Sequence, residues 1–272
     1  MQFISGLDSV TLDNPFYGYS VEINLAFDVA RFIGRYAHAD YGPSYDHRSL
    51  IASTHWLTAA NMETLAAFLR DHRGEDITLS LGATPTGFFP FGPDLGDIGD
   101  FTVYIDSHEN GGVNMAPFRH FAPEIRLKLR AAPAYSLPAA INEGNLEIAG
   151  VNYRWPQNGI NPTKHDGRTH GYTRSGTPYN IDTGFSADLT GSEFTLEGGA
   201  VNIGHFLREM GLPGRSDDIE ISAPEHYYLF GPEHGSAGTY NTRLIINTLS
   251  VTHDRFNQFS VPVKFWMREA VA

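Results

Sequence analysis

The 272-residue sequence contains no cysteine. Disulfide bonds, thiolate nucleophiles, cysteine-ligated zinc and iron–sulfur clusters are therefore excluded. No apolar run approaches the roughly 18 residues that a membrane-spanning helix needs. Residues 1–6 lack the basic region and the apolar stretch of a secretory signal. We expect a protein made in a cytoplasm and without a membrane partner.

Basic residues are scarce. Lys and Arg number 19 against 31 Asp and Glu, which gives a formal net charge of −12. Binding to nucleic acid depends on clustered basic side chains that neutralise phosphates, and this sequence has no basic run. An acidic surface is compatible with a channel through which DNA slides without adhering.

Catalytic motifs are also missing. The sequence has no Gly-x-Ser-x-Gly elbow, no phosphate-binding loop and no dinucleotide-binding glycine motif. His165, Asp166 and His170 form the closest approach to a metal-ligand set, but a solvated loop is the favoured explanation. His226 and His234 flank a Phe-Gly-Pro turn that carries no histidine at its earlier occurrence, which favours a structural role. We expect no catalytic residue, no cofactor and no metal.

Three blocks of the second half repeat blocks of the first half at an offset of 138 or 139 residues. The closing block, residues 118–129, aligns without a gap on residues 256–267. The matching short blocks are Phe68-Leu69-Arg70 with Phe206-Leu207-Arg208, and Phe91-Gly92-Pro93 with Phe230-Gly231-Pro232. The conserved order predicts a tandem duplication, with one domain over residues 1–135 and a second over residues 136–272.

Periodicity and composition predict a mainly β protein with one helix in each half. The 28 glycines and 16 prolines are typical of many short strands and turns. Alternating apolar residues predict strands over 101–106, 124–130, 240–247 and 261–268. Helical spacing predicts one helix over 58–72 and a second that begins near Thr195 or Glu197 and ends before Gly211. Turns are expected at 110–112 and 252–254.

Two segments interrupt this pattern. Pro133 and Pro138 predict an irregular link between the halves over 131–143. The polar, glycine- and proline-rich stretch 152–179 predicts an enlarged loop in the second domain, either a long loop or a strand pair with a large excursion, of the kind that reaches a neighbouring subunit or a ligand.

The layout of each half resembles the tail-tube-like domains of long-tailed bacteriophages. The resemblance lies in a helix that starts at Trp56-Leu57-Thr58, passes through Phe68-Leu69-Arg70 and ends at Arg73-Gly74, followed by strands across a Phe-Gly-Pro turn. It points to distal tail and tail-tip proteins. It implies a β-sandwich with a flanking helix, located in the tail of the virion and packed into a ring around the DNA channel.

The resemblance also implies partners. Three copies of a two-domain chain fill six similar positions, so a homotrimeric ring is favoured and a hexamer is the alternative. Other tail-tube and tail-tip proteins are the expected neighbours, and DNA passes through an acidic lumen without specific binding. The candidate contact residues are Phe91, Pro93, Phe230, Pro232, Trp155, His165 and His170.

Two other functions are compatible with the sequence. A carbohydrate-binding or carbohydrate-cleaving β-sandwich would stack exposed aromatic rings on sugars, with Trp155, Tyr172, Tyr179 and Tyr227 as candidates. A head–tail connector component is the other.

Overall fold

The structure is a computed structural model in which twenty strands and two α-helices are described. The described residues are 1–12, 18–25, 27–32, 35–40, 47–53, 57–105, 113–116, 120–165, 168–172, 178–182, 189–211, 218–235, 238–246, 248–253 and 258–271. The predicted mainly β class is confirmed.

The first half contains ten strands and one helix. In chain order they are β1 (Gln2–Ser5), β2 (Asp8–Thr11), β3 (Gly18–Asn24), β4 (Phe27–Phe32), β5 (Arg35–Asp40), β6 (His47–Ser53), α1 (Ala59–Asp71), β7 (Asp76–Ser80), β8 (Asp100–Ile105), β9 (Val113–Ala116) and β10 (His120–Ala131).

The second half contains the same number of each. They are β11 (Leu146–Ile148), β12 (Val151–Tyr153), β13 (Asn161–His165), β14 (Arg168–Tyr172), β15 (Pro178–Asp182), β16 (Leu189–Gly199), α2 (Ala200–Met210), β17 (Ile219–Ala223), β18 (Gly238–Leu244), β19 (Thr248–His253) and β20 (Gln258–Val271). A short 3-10 helix, Pro232–His234, lies between β17 and β18.

The strand pairings of the second half match those of the first half in order. Every described pairing is antiparallel. The matching pairs are β1–β2 with β11–β12, β1–β7 with β11–β17, β7–β8 with β17–β18, β8–β10 with β18–β20, β9–β10 with β19–β20, β6–β10 with β16–β20, β3–β6 with β13–β16, and β4–β5 with β14–β15. One further pairing, β19 with β3, joins the halves into a single large sheet.

Hydrophobic residues on alternate positions build the core. In β8 the buried residues are Phe101, Val103 and Ile105, and in β20 they include Val261, Val263 and Phe265. Burying side chains of this size contributes about 1.5–3 kcal/mol each. The sandwich arrangement and the origin of the halves by duplication stay predictions.

Helix α1 begins and ends as its sequence predicts. Thr58 is the N-cap, and its hydroxyl oxygen accepts a hydrogen bond from the Asn61 amide at 3.3 Å. Leu65 and Phe68 are buried against the sheet, whereas most of the other side is exposed.

The predicted start of the second helix is wrong. Thr195 and Glu197 belong to β16, and α2 begins only at Ala200. The reason is cross-strand pairing, because residues 191–199 pair continuously with β20. The turn predicted at 252–254 is also wrong in part, since Thr252 and His253 are the last residues of β19. The turn predicted at 110–112 lies outside the described residues.

The segment over 132–145 carries no helix or strand and contains the predicted domain boundary. For the stretch 152–179 a long loop or a pair of strands was predicted, and its described part includes the strands β13, β14 and the start of β15. The β14–β15 hairpin occupies the same place in the strand order as β4–β5 of the first half. Neither described α-helix is long and apolar enough to cross a membrane.

Candidate functional site: the contact between the two halves

The first Phe-Gly-Pro turn, residues 91–94, is buried where the two halves meet. Phe91 is fully buried and its ring centroid lies 5.6 Å from that of Phe101. Gly92 has a φ of 108°, a backbone conformation that residues with a side chain rarely adopt. A Cβ at Gly92 would lie 2.8 Å from Asp94 Oδ1, so glycine also permits the close approach of that carboxylate.

A buried ion pair anchors this turn to the sheet. Arg48 on β6 donates from Nη1 to Asp94 Oδ1 at 2.7 Å and from Nη2 to Asp94 Oδ2 at 2.8 Å. The Arg48 Nη1 group also donates to the Phe91 carbonyl oxygen at 2.9 Å. Only 5% of the Arg48 side chain and 4% of the Asp94 side chain are exposed. Two-pronged geometry of this kind fixes orientation as well as charge, so the turn is held rigidly.

Helix α2 of the second half packs on the same turn. A Cβ at Gly92 would lie 3.3 Å from Leu207 Cδ1, and a Cβ at Gly204 would lie 3.2 Å from the Pro93 carbonyl oxygen. Arg208 Nη2 donates to the Asp94 carbonyl oxygen at 3.2 Å. A glycine on the contacting face of α2 therefore allows the helix to approach the turn closely.

The linking segment, residues 132–145, is hydrogen-bonded to α2 through Asn202, which is completely buried. Its side-chain oxygen accepts from the Ile141 amide at 3.0 Å, and its side-chain nitrogen donates to the carbonyl oxygens of Ile141 at 2.7 Å and Asn152 at 3.0 Å. Every hydrogen bond of this amide goes to main chain, so Asn202 fixes the path of two segments at once.

The N-terminus of α2 is capped from the same segment. Both carboxylate oxygens of Glu143 accept from the Gly199 amide, at 3.0 and 3.1 Å. A carboxylate at this position satisfies a free amide and interacts favourably with the helix dipole. The linking segment is thus part of the contact between the halves.

Aromatic rings of the two halves pack against one another beside the β3–β19 pairing. Tyr19 on β3 stacks on His253 of β19, with ring centroids 5.2 Å apart, and meets Phe88 edge to face at 4.8 Å. Phe89 meets Phe259 of β20 edge to face at 5.5 Å. The two halves therefore share one hydrophobic core at this boundary.

The second Phe-Gly-Pro turn has a different environment. Phe230 is fully buried against Tyr240, with ring centroids 5.0 Å apart. Pro232 and Glu233 are exposed. His234 Nε2 lies 3.1 Å from Thr190 Oγ1, and its carbonyl oxygen accepts from the Tyr240 hydroxyl at 3.2 Å. Among the candidate contact residues, Phe91 and Phe230 are thus core residues, Pro93 is buried between the halves and Pro232 faces solvent.

The remaining candidates lie apart from both turns. Trp155 is half-buried and its ring centroid lies 4.0 Å from that of Tyr227. His165 ends β13 and His170 lies in β14, while Asp166 lies outside the described residues. Within the described residues that carry side-chain information, no group of three or more His, Asp or Glu is placed to hold a metal ion.

The sequence analysis missed Arg48, Asp94 and Asn202 as organising residues. Each was visible as a polar residue next to apolar ones, since Arg48 precedes the apolar run of β6 and Asn202 lies between Val201 and Ile203. A polar residue in such a place signals a buried hydrogen-bond partner without identifying it.

Two buried tyrosines predict an alkaline limit of stability. Burial raises the pKa of Tyr19 and of Tyr153 well above the ordinary value of about 10. Because the folded pKa exceeds the unfolded one, the stabilisation is complete below about pH 10 and is lost as the pH rises through the folded pKa. We expect urea unfolding followed from pH 7 to pH 11.5 to show a steep fall in stability above about pH 10.

Substitution tests the cause of this fall. Tyr153 donates to the Asn202 carbonyl oxygen at 3.1 Å, so Tyr153→Phe is expected to cost about 1 kcal/mol at pH 7 and to make the alkaline fall shallower. The exposed Tyr228 provides the control, because Tyr228→Phe removes a hydroxyl that already contacts solvent. An alkaline fall of the same steepness in Tyr153→Phe would contradict the assignment to that phenol.

No protein family matches this chain by its sequence profile. No curated protein matches it by sequence.

Proposed function

We propose that the chain is a structural protein of the distal tail or tail tip of a long-tailed bacteriophage. In this proposal several copies form a ring around the DNA channel and join the tail tube to the tip. The observation that carries the proposal is that two halves with matching strand order join edge to edge, through β3 and β19, into one sheet. A junction between unlike edges of two similar units extends in one direction, and such extension gives a ring when the rotation closes.

The charge supports the same function. A net charge of −12 disfavours adsorption to DNA, which suits the wall of a channel through which DNA must pass. The resemblance in layout to tail-tube-like domains supplies the biological context. Three copies would provide six similar units, and a homotrimer is the proposed ring.

The mass of the purified protein in solution tests this proposal. Light scattering across a wide concentration range, with negative-stain imaging of the same samples, is expected to show closed rings of three chains with a central hole. Rings of six chains would retain the tail function and change the stoichiometry. A protein that stays monomeric at every concentration and binds glycans would instead favour the carbohydrate-binding function.

A further inference from the structure

The contact between the halves has two sides. One side, which we call the helix face, consists of α2 and the edge of β19 that faces away from β20 in the second half. The other side, the turn face, consists of the turn 91–94 and the outer edge of β3 in the first half. Because both halves share the same strand order, each half carries a version of both faces, and among the described residues one of each is in contact within the chain.

The unused faces each have an open strand edge. Strand β3 pairs on both sides, with β6 and β19, whereas its counterpart β13 pairs with β16 alone in the described part of the chain. Strand β19 likewise pairs with β20 and β3, whereas its counterpart β9 pairs, among the described strands, with β10 alone. An open edge presents unpaired main-chain groups that a strand of another molecule can bind.

The unused helix face is exposed where the used one is buried. In α2, Gly204 is buried against Pro93 and Leu207 is 1% exposed. The aligned positions in α1 are Ala66, which is exposed, and Leu69, which is half-buried. Arg70 and the aligned Arg208 are both exposed, so the difference between the two faces lies at the small and apolar positions.

The unused turn face shows the same difference. Pro93 and Asp94 are buried under α2, whereas the aligned Pro232 and Glu233 are exposed. The helix, the turn and both strand edges of the used faces are therefore covered within the chain. Their counterparts on the unused faces are uncovered among the described residues. We propose that α1 and β9 of one copy bind the turn 230–233 and β13 of a second copy, repeating the contact within the chain. This inference rests on the proposed ring, because a head-to-tail contact between identical chains is what closes it.

One hydrogen bond to main chain is expected to recur in the proposed contact. Arg208 donates to the Asp94 carbonyl oxygen, so by the alignment Arg70 of one copy, which pairs with Asp71 of its own chain, lies near the Glu233 carbonyl oxygen of the next copy. The two contacts differ at one position of the helix. Ala66 of α1 is aligned with Gly204 of α2, and the Cβ of Ala66 requires α1 to lie slightly farther from the turn than α2 does. The linking segment also packs on Gly204, through Leu137.

The alternation of main-chain hydrogen bonds across the sheet shows which main-chain groups of β13 face its open edge. The Ile245 amide donates to the Lys264 carbonyl at 2.9 Å, so the main-chain N–H and C=O groups of Lys264 on β20 point toward β18. Successive residues alternate, so the next residue of β20 points toward its partner Ser192 on β16. By the same alternation the main-chain groups of Thr163 point toward β16, and those of Pro162 point to the open edge.

Pro162 limits but does not prevent pairing at this edge. A proline lacks the amide hydrogen, and prolines in sheets occur where that position faces away from the ladder. Its carbonyl and the main-chain groups of Lys164 are still oriented toward the open side. By the register of the contact within the chain, the described part of β9 lies opposite residues 161–162, and Pro162 offers a carbonyl but no amide donor there.

The register follows from the contact within the chain. Ser20 of β3 pairs with Thr252 of β19. Through the alignment of β10 with β20, the position of Ser20 corresponds to Asn161 and that of Thr252 corresponds to Asn114. The expected pair, Asn114 of one copy opposite Asn161 of the next, is not hydrogen-bonded, which places the two Cα atoms about 4.5 Å apart.

A cysteine pair at these positions tests the contact. The chain has no native cysteine, so Asn114→Cys with Asn161→Cys introduces the only thiols. A Cα separation of about 4.5 Å is within the range that a disulfide spans. Mild oxidation of the dilute protein is expected to give covalent dimers and trimers on a non-reducing gel, and each single variant is expected to give neither.

The matched control is Ser20→Cys with Thr252→Cys, which probes the equivalent contact inside one chain. It is expected to oxidise within the monomer without raising the covalent mass. Covalent oligomers from this control in the same amount as from the Asn114 and Asn161 pair would overturn the inference, because the crosslinks would then reflect collisions.

A second variant tests the helix without thiols. Ala66→Arg places a bulky charged side chain on the exposed face of α1 and is expected to weaken self-association about tenfold or more, with thermal stability unchanged. Rings that persist in Ala66→Arg, together with failure of the cysteine pair to crosslink, would overturn this contact while leaving the proposed ring intact. Absence of any ring in the unmodified protein would count against the proposed function itself.

Discussion

Replacement of Asp94 by alanine is expected to lower the free energy of unfolding by about 3–5 kcal/mol. The substitution leaves the Arg48 guanidinium buried without its carboxylate, and only 5% of that side chain is exposed to water. An uncompensated buried charge is more destabilising than the loss of an ordinary hydrogen bond. Urea or thermal unfolding of the dilute protein measures the effect.

The aligned residue of the second turn supplies the control for this prediction. Glu233 is exposed, and Glu233→Ala is expected to change stability by no more than about 0.5 kcal/mol. Replacement of both members of the pair, Arg48→Met with Asp94→Leu, is expected to recover much of the loss because no charge then remains buried. A cost below about 1 kcal/mol for Asp94→Ala would show that water reaches Arg48.

The second large effect is expected at Asn202. Asn202→Ala removes three hydrogen bonds and leaves the amide and carbonyl of Ile141 without their partner, whereas the Asn152 carbonyl oxygen keeps the hydrogen bond from the Glu143 amide. With about 1 kcal/mol for each bond and an added cost for buried unpaired groups, we expect a loss of about 2–4 kcal/mol. Denaturant unfolding measures it, and limited proteolysis in the segment 132–145 is expected to speed up.

Helix α1 provides the matching control. Thr64 is aligned with Asn202, is exposed and donates only to the Ala60 carbonyl of its own helix. Thr64→Ala is therefore expected to cost no more than about 0.5 kcal/mol. Similar losses in Asn202→Ala and Thr64→Ala would contradict the role assigned to the linking segment.

The sequence was sufficient to predict most of the elements that depend on local pattern. Alternating residues in β8 and β20 and the cap at Thr58 produce strands and a helix close to where they were expected. The start of α2 was misplaced because Thr195 and Glu197 fit a helical pattern but pair with β20, a contact about 65 residues away in sequence. The strand with which such a segment pairs decides its conformation, and local propensity carries no information about that partner.

The contact between the halves was less predictable for the same physical reason. The repeated turns were visible as motifs, but Arg48 and Asp94 are separated by 46 residues, and Asn202 and Ile141 by 61. A single sequence shows that a polar residue stands among apolar ones, whereas the partner is fixed only by the folded topology. Pro93 and Pro232 occupy equivalent motifs, yet only the structure distinguishes the buried one from the exposed one.

The pairing of β3 with β19 also has a consequence during synthesis. Thr248 on β19 donates to Asn24 on β3 at 2.9 Å, across 224 residues of chain. At about 5–20 residues per second, a ribosome takes roughly ten to forty-five seconds to deliver the second strand after the first. During that interval the edge of β3 is open to the β19 of another nascent chain, which would exchange the C-terminal strands between molecules. Slow translation or neighbouring ribosomes on one message should therefore increase the fraction of interlinked chains, and late codons rather than early ones determine when the first half acquires its final neighbour.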